Sequence, residues 1–179
     1  MNALVQDALT YMNNQLDLIA KSLNLLSEER LWARPGPDLN SPGNYCLHLA
    51  GNEYQHFVTA VGGKPLIRQR SNEFNTEGGL SREQVLDMLK EVRRESTEIL
   101  GALTEADLAR EVFVPYGQED WQRMKPGATA AEAEAAGEKR LIRTLLVRVP
   151  AHYGYHTGQI VLLSKILSGT GEHLSGLYH

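Results

Sequence analysis

Two histidines four residues apart, His152 and His156, stand in the run His-Tyr-Gly-Tyr-His toward the end of a chain of 179 residues. On a helix this spacing offsets the side chains by about 40° and stacks them one turn apart on one side. Two imidazoles so placed can share one divalent metal ion. Each also carries a polar ring nitrogen that is costly to bury without a partner, and a shared ion is one such partner. A pair of hydrogen-bonded core histidines is the plainer alternative. Tight metal binding needs a third ligand. A second histidine-bearing segment offers His48 and His56, with Asn52 and Glu53 between them. Periodicity does not choose between them, since both histidines fall on one mixed face about two turns apart. The chain's single cysteine, Cys46, rules out a thiolate-rich site, so a tightly held metal must rest on imidazole and carboxylate.

Other polar residues have weaker claims. Glu53 fits either a hydrogen bond that orients a ligand imidazole or an exposed salt bridge. Asn52 fits a contact to a metal-bound water or a local backbone bond, and His56 a surface or supporting role. Gln159, three residues beyond His156, fits the same cavity or an interhelical hydrogen bond. Cys46 reads as a small buried hydrophobe, and Arg68 and Arg70 as solvated surface or an anion site. Tyr116 and Trp121 read as a lid or as packing. His173 and His179 lie in a glycine-containing tail, where disorder or dimer contact is a simpler reading than catalysis.

Four segments with helical period must position these groups. The first runs from Ala3 to Glu29, with Val5, Leu9, Met12, Leu16, Ile19, Leu23 and Leu26 on one stripe. It stops before Arg34-Pro35-Gly36-Pro37. The second opens at Ser41-Pro42, a capping serine followed by a proline at the first helical position, and ends near Gly62-Gly63. The connection from Lys64 to Gly79 has no period. The third opens on Ser81 and Gln84, spaced for a capping box. Its face of Lys90, Glu91, Arg93, Arg94 and Glu95 reads as solvated. Thr104 to Leu108 suggests a short turn, and 111–139 a long irregular segment broken by proline and glycine. The fourth helix, Arg140 to Ser168, places both histidines in its apolar stripe, with Pro150 predicted to kink it.

The length suits one domain, residues 1–179, with room for a core. Hydrophobic residues at 42%, charged residues at 22% and a net charge of −4 describe a soluble globular chain. The charge gives no footprint for nucleic acid. No apolar run approaches the roughly 20 residues of a membrane span, and the start lacks the pattern of a signal peptide. With one cysteine, a reducing cytoplasm is the expected location.

The residues also carry a resemblance. Asn44-Tyr45-Cys46-Leu47-His48-Leu49-Ala50-Gly51-Asn52-Glu53 is similar to the second-helix histidine motif of the DinB-like superfamily. His152-Tyr153-Gly154-Tyr155-His156-Thr157-Gly158-Gln159-Ile160 resembles its last-helix motif. The resemblance implies an all-α fold: a four-helix bundle in up-down-down-up order, often a homodimer. It implies a divalent metal, zinc or nickel, held by His48, His152 and His156. Relatives include transferases and isomerases that use low-molecular-weight thiols, which makes a metal-dependent S-transferase acting on a small molecule the expected function. The alternatives are a non-catalytic metal-stabilised bundle and a stress-response interaction module. The segment 111–139 matches no motif of that family.

Overall fold

The computed structural model describes residues 2–129, 135–171 and 174. His173 and His179 lie outside the described residues, as do residues 130–134 within the segment 111–139.

Helix α1 spans Ala3–Leu23, its first amides satisfied by the Asn2 side chain. The stripe of Val5, Leu9, Met12, Ile19 and Leu23 is buried. The sequence predicts one helix as far as Glu29, but α1 stops at Leu23 and a five-residue helix α2, Glu28–Trp32, starts anew. The amides of Leu25 and Leu26 turn back to the carbonyls of Ser22 and Leu23, and the Ser27 hydroxyl accepts from the Arg30 amide. That hydroxyl offers the backbone a start signal. Leu26 is still buried after the break, so the apolar spacing reads straight through it.

Helix α3, Pro42–Glu53, begins as expected at Ser41, whose hydroxyl and backbone exchange hydrogen bonds with Asn44. It runs on without a gap into a π-helical segment, Tyr54–Val61, which ends with the Gly62 amide on the Phe57 carbonyl at 3.0 Å. The connection that lacked a period contains α4, Arg70–Asn75. Helix α5, Arg82–Gly101, carries the expected capping box of Ser81 and Gln84. A 3-10 turn, Ala106–Ala109, follows.

The expectation of an all-α chain with an irregular segment at 111–139 is corrected here. Strands β1, Glu111–Pro115, and β2, Gly137–Leu141, pair antiparallel with Val112 opposite Arg140 and Val114 opposite Glu138. A short helix α6, Gln118–Met124, lies between them. The chain is therefore mostly helical with one two-stranded sheet. The signal in sequence was a two-residue period, Val112 and Val114 buried against exposed Glu111 and Phe113. Over five residues it is too short to stand out beside Pro115 and Gly117. Because Arg140 and Leu141 belong to β2, the last helix, α7, spans Ile142–Ser168, with Pro150 inside it.

Helix α1 packs along α7, α3 packs on α5 and α7, and α1 also meets α5. Their shared core includes Met12, Ile19, Leu49, Phe57, Leu89, Leu145, Tyr153 and Ile160. One ion pair is buried within it. Arg93, expected on the solvated face of α5, donates from Nε and Nη2 to Glu53 at 2.7 and 3.0 Å and from Nη1 to Asn13 Oδ1 at 2.8 Å. Its guanidinium lies 4.9 Å from the Tyr153 ring centroid, so one side chain touches α1, α3 and α7. Among the described residues no helix is long and apolar enough to cross a membrane.

Losing one partner of a buried pair strands a charge, which costs about 3–5 kcal/mol, whereas replacing both is far milder. Chemical denaturation should show Arg93→Met strongly destabilised and the double variant Glu53→Gln/Arg93→Met recovering much of the loss. Equal stability of Arg93→Met and the parent would contradict the buried-pair account.

Candidate metal centre

Helix α3 carries His48 and helix α7 carries His152 and His156. The packing of those helices brings the three rings together, with centroids 4.9 Å apart for His48 and His152, 4.8 Å for His48 and His156, and 4.5 Å for His152 and His156. One ring nitrogen from each falls within 4.8 Å of the others. The rings of α7 lie on the flank of its buried stripe, not in it: Tyr153 and Thr157 are buried, while His152 and His156 are half-buried. His56, the competing candidate on the second helix, is not in the cluster. Its Nδ1–H donates instead to the Asn52 carbonyl at 2.8 Å.

The outer nitrogens explain which way the rings face. His48 Nδ1–H donates to Glu73 Oε2 at 2.8 Å. That bond selects the tautomer in which Nε2 keeps its lone pair, and Nε2 lies 3.0 Å from His152 Nε2. His156 Nδ1–H donates to Gln159 Oε1 at 2.6 Å, so Gln159 orients a ring of the cluster. Phe74 packs on His48 with centroids 4.9 Å apart, and Tyr45 lies 5.1 Å from His156.

Glu73 is the residue that sequence reasoning missed. It sits on α4, inside the connection read as having no period, and it is buried. Arg68 grips its carboxylate through Nε and Nη2 at 2.6 and 2.8 Å, a bidentate pair. Arg68 is thus buried rather than solvated, and its Nη1 donates to Gln55 on the π-helical segment. The Asn44 side chain holds the backbone carbonyls of Glu73 and Thr76 at 2.9 and 2.7 Å, fastening α4 to the start of α3. The carboxylate fits because residue 51 is a glycine. A Cβ there would stand 2.1 Å from Glu73 Oε1 and 3.0 Å from Arg68 Nε. Glu53, the carboxylate considered for this supporting role, faces Arg93 on the other side of α3. Only a compositional hint pointed to Glu73, an acidic residue beside arginines in a long connection.

Burial holds all four of the described histidines, His48, His56, His152 and His156, below the usual imidazole range. Desolvation is the largest cause throughout. It pushes His56 down to about 4, and with neighbouring imidazoles it pushes His152 down to about 3 and His156 to about 4. His48 is lowered by burial against the opposing pull of Glu73. The cluster is therefore neutral near pH 7, and the lone pair at His48 Nε2 accepts from His152 Nε2–H at 3.0 Å. A cation would take the place of that shared proton, and the donor set of three neutral imidazoles suits a divalent ion with open positions. The residues present fit such an ion. Cys46 plays no part; burial raises its thiol far above the ordinary value. Arg70 covers the Phe74 ring. Trp121 is buried against Tyr116, whose own ring lines a small cavity reaching His152.

Residues 12–160 match the profile of the DinB superfamily. Among solved structures, a DinB-like protein from Bacillus subtilis is similar at 17% identity and a TM-score of 0.60, over 96% of this chain and 95% of that one. A conserved protein from Enterococcus faecalis matches at 12% identity and a TM-score of 0.64, over 95% of this chain and 99% of that one. At such identities the likeness speaks to the fold. No curated protein matches the chain.

Two outcomes follow from this geometry. In Gly51→Ala the added methyl should dislodge Glu73, and nitrogen NMR of the histidine side chains should show His48 losing its single tautomer while helix content is kept; an unchanged His48 signal would remove Glu73 from the account. The second concerns pH. A histidine lowered in the fold and ordinary when unfolded takes up a proton on unfolding, so its contribution to stability is complete above about pH 6.5 and is lost as pH falls toward its folded value. For His56 that window runs from about 6.5 to about 4. The metal-free protein should lose stability across it, and His56→Gln should lower the proton uptake on unfolding by about one.

Proposed function

We propose that this chain, which belongs to the DinB superfamily, is a divalent-metal protein whose His48, His152 and His156 hold zinc or nickel, and that it works as a metal-dependent enzyme of the thiol S-transferase type on a small molecule. The observation that carries the reading is the ring orientation. His48 is tied by Glu73 and His156 by Gln159 through the outer nitrogen, leaving the inner nitrogens turned toward one another. Supporting hydrogen bonds of this kind fix ligand imidazoles around metals. A bound divalent ion supplies Lewis acidity, which lowers the pKa of a coordinated water or thiol toward neutrality.

The chain's own residues have separate tasks. Glu73 and Arg68 keep His48 in one tautomer, Gln159 does so for His156, and the half-buried positions of His152 and His156 leave the cluster open on one side. The four long helices are read as one domain in up-down-down-up order, which the pairing of α1 with α7 and of α3 with α5 supports. A net charge of −4 favours a small-molecule substrate over nucleic acid, and the lone buried cysteine favours the cytoplasm.

A homodimer is part of the same proposal. Val147, Tyr155, Leu162 and Ile166 form an apolar stripe along α7 and are exposed in the single chain, from 57% for Ile166 to 66% for Tyr155. A second copy is the occupant we assign to it.

Purified wild type given zinc or nickel should retain about one equivalent by elemental analysis and melt at a higher temperature, while His48→Ala and His152→Ala should lose both effects. Retention of metal by both variants would end the assignment. Light scattering should report a dimer for the wild type and a monomer for Leu162→Glu; a wild-type monomer at high concentration would dispose of the dimer.

A further inference from the structure

Building on the metal reading, we infer that the cavity beside His152 is a binding site for the carboxylate of a small organic acid, with Arg140, Arg148 and His152 as its donors. The cavity measures about 90 Å³ and lies between the second helix, the start of α7 and the sheet. Three observations point the same way.

The first is a pair of stranded donors. Arg140 Nε and His152 Nδ1 are buried without a hydrogen-bond partner among the described residues, and both side chains line this cavity. His152 Nε2 is the nitrogen turned to His48, so Nδ1 is its outer one and carries the N–H when Nε2 faces a metal. Buried N–H groups in native structures have acceptors. One carboxylate, with two oxygens and about four lone-pair sites, can serve both.

The second is charge. Among the described residues Glu138 is the one carboxylate on the wall, and it is already engaged by Arg140 Nη2 and by the Tyr116 hydroxyl at 3.2 Å. Arg148, also on the wall, makes no hydrogen bond or ion pair with the described residues. Among the described residues the surplus is a single positive charge, which suits a monoanionic carboxylate better than a phosphate dianion facing Glu138.

The third is the incomplete histidine cluster. The outer nitrogens of His48 and His156 have acceptors from the chain, Glu73 and Gln159, and that of His152 has none among the described residues. A ligand carboxylate accepting from His152 Nδ1–H supplies the missing member. Ligand and metal would then strengthen each other, and by linkage the coupling must be equal in both directions.

The test titrates the zinc-loaded full chain with propionate and with propionamide, its uncharged counterpart, following amide chemical shifts by NMR. Propionate should bind saturably and propionamide should not. Arg148→Met, at an exposed position that spares the fold, should weaken propionate by about tenfold, as should Arg140→Gln. Zinc affinity measured by competition with a chelator should rise in saturating propionate. Equal binding of acid and amide, propionate binding indifferent to both arginines, or tighter binding of inorganic phosphate would each overturn the inference. The two readings fail separately. A protein that takes up zinc yet ignores propionate defeats the carboxylate site alone, whereas arginine-dependent propionate binding without zinc uptake upholds that site and defeats the metal.

Discussion

The arrangement of this protein's histidines depends on one shared carboxylate. Glu73 accepts two hydrogen bonds from Arg68 and one from His48, all in a buried setting where an unpaired carboxylate would be untenable. The bidentate arginine compensates the charge and also uses up the oxygen directions that would otherwise turn elsewhere. What is left is aimed at His48 Nδ1. The imidazole thereby loses its choice of tautomer, and its other nitrogen is presented to α7. Everything around the pair serves to keep it there: Asn44 fastens α4, Gln55 steadies Arg68, and the bare backbone at Gly51 leaves room for the carboxylate.

A second buried carboxylate, Glu53, has the opposite character. It and Arg93 form a closed pair in the core, with Asn13 and Tyr153 completing the surroundings of the guanidinium. No imidazole of the cluster takes part. The pair locks α3 to α5 and braces α1 and α7, and so holds α3, which carries His48, in place against α7, which carries His152. One helix thus carries two polar faces, one structural and one turned toward the histidines. The sequence shows a mixed face on this helix, bearing His48 and His56, and contact on two sides is the physical content of that pattern.

Much of the fold was legible where local chemistry and periodicity agreed. Ser41-Pro42 and the Ser81-Gln84 box mark their helix starts because a capping side chain acts on amides two or three residues away. Reading failed where the deciding contact was remote. The break after Leu23 hides under an unbroken apolar stripe, and the five-residue strands are specified by pairing across a separation of more than twenty residues. Arg93 looks solvated among its charged neighbours, since only the approach of α3 shows it a buried partner.

The sequence by itself determined the kinds of atom available to a site: six imidazoles, one cysteine, and two histidines one helical turn apart. Spacing along a helix is a local property, so His152 and His156 were bound to neighbour each other. The tertiary structure decided the rest. It chose His48 over His56, Glu73 over Glu53, and a buried Arg68 over a solvated one, because each choice depends on which side chain from a distant segment arrives within hydrogen-bond reach. Periodicity carries no information about that arrival.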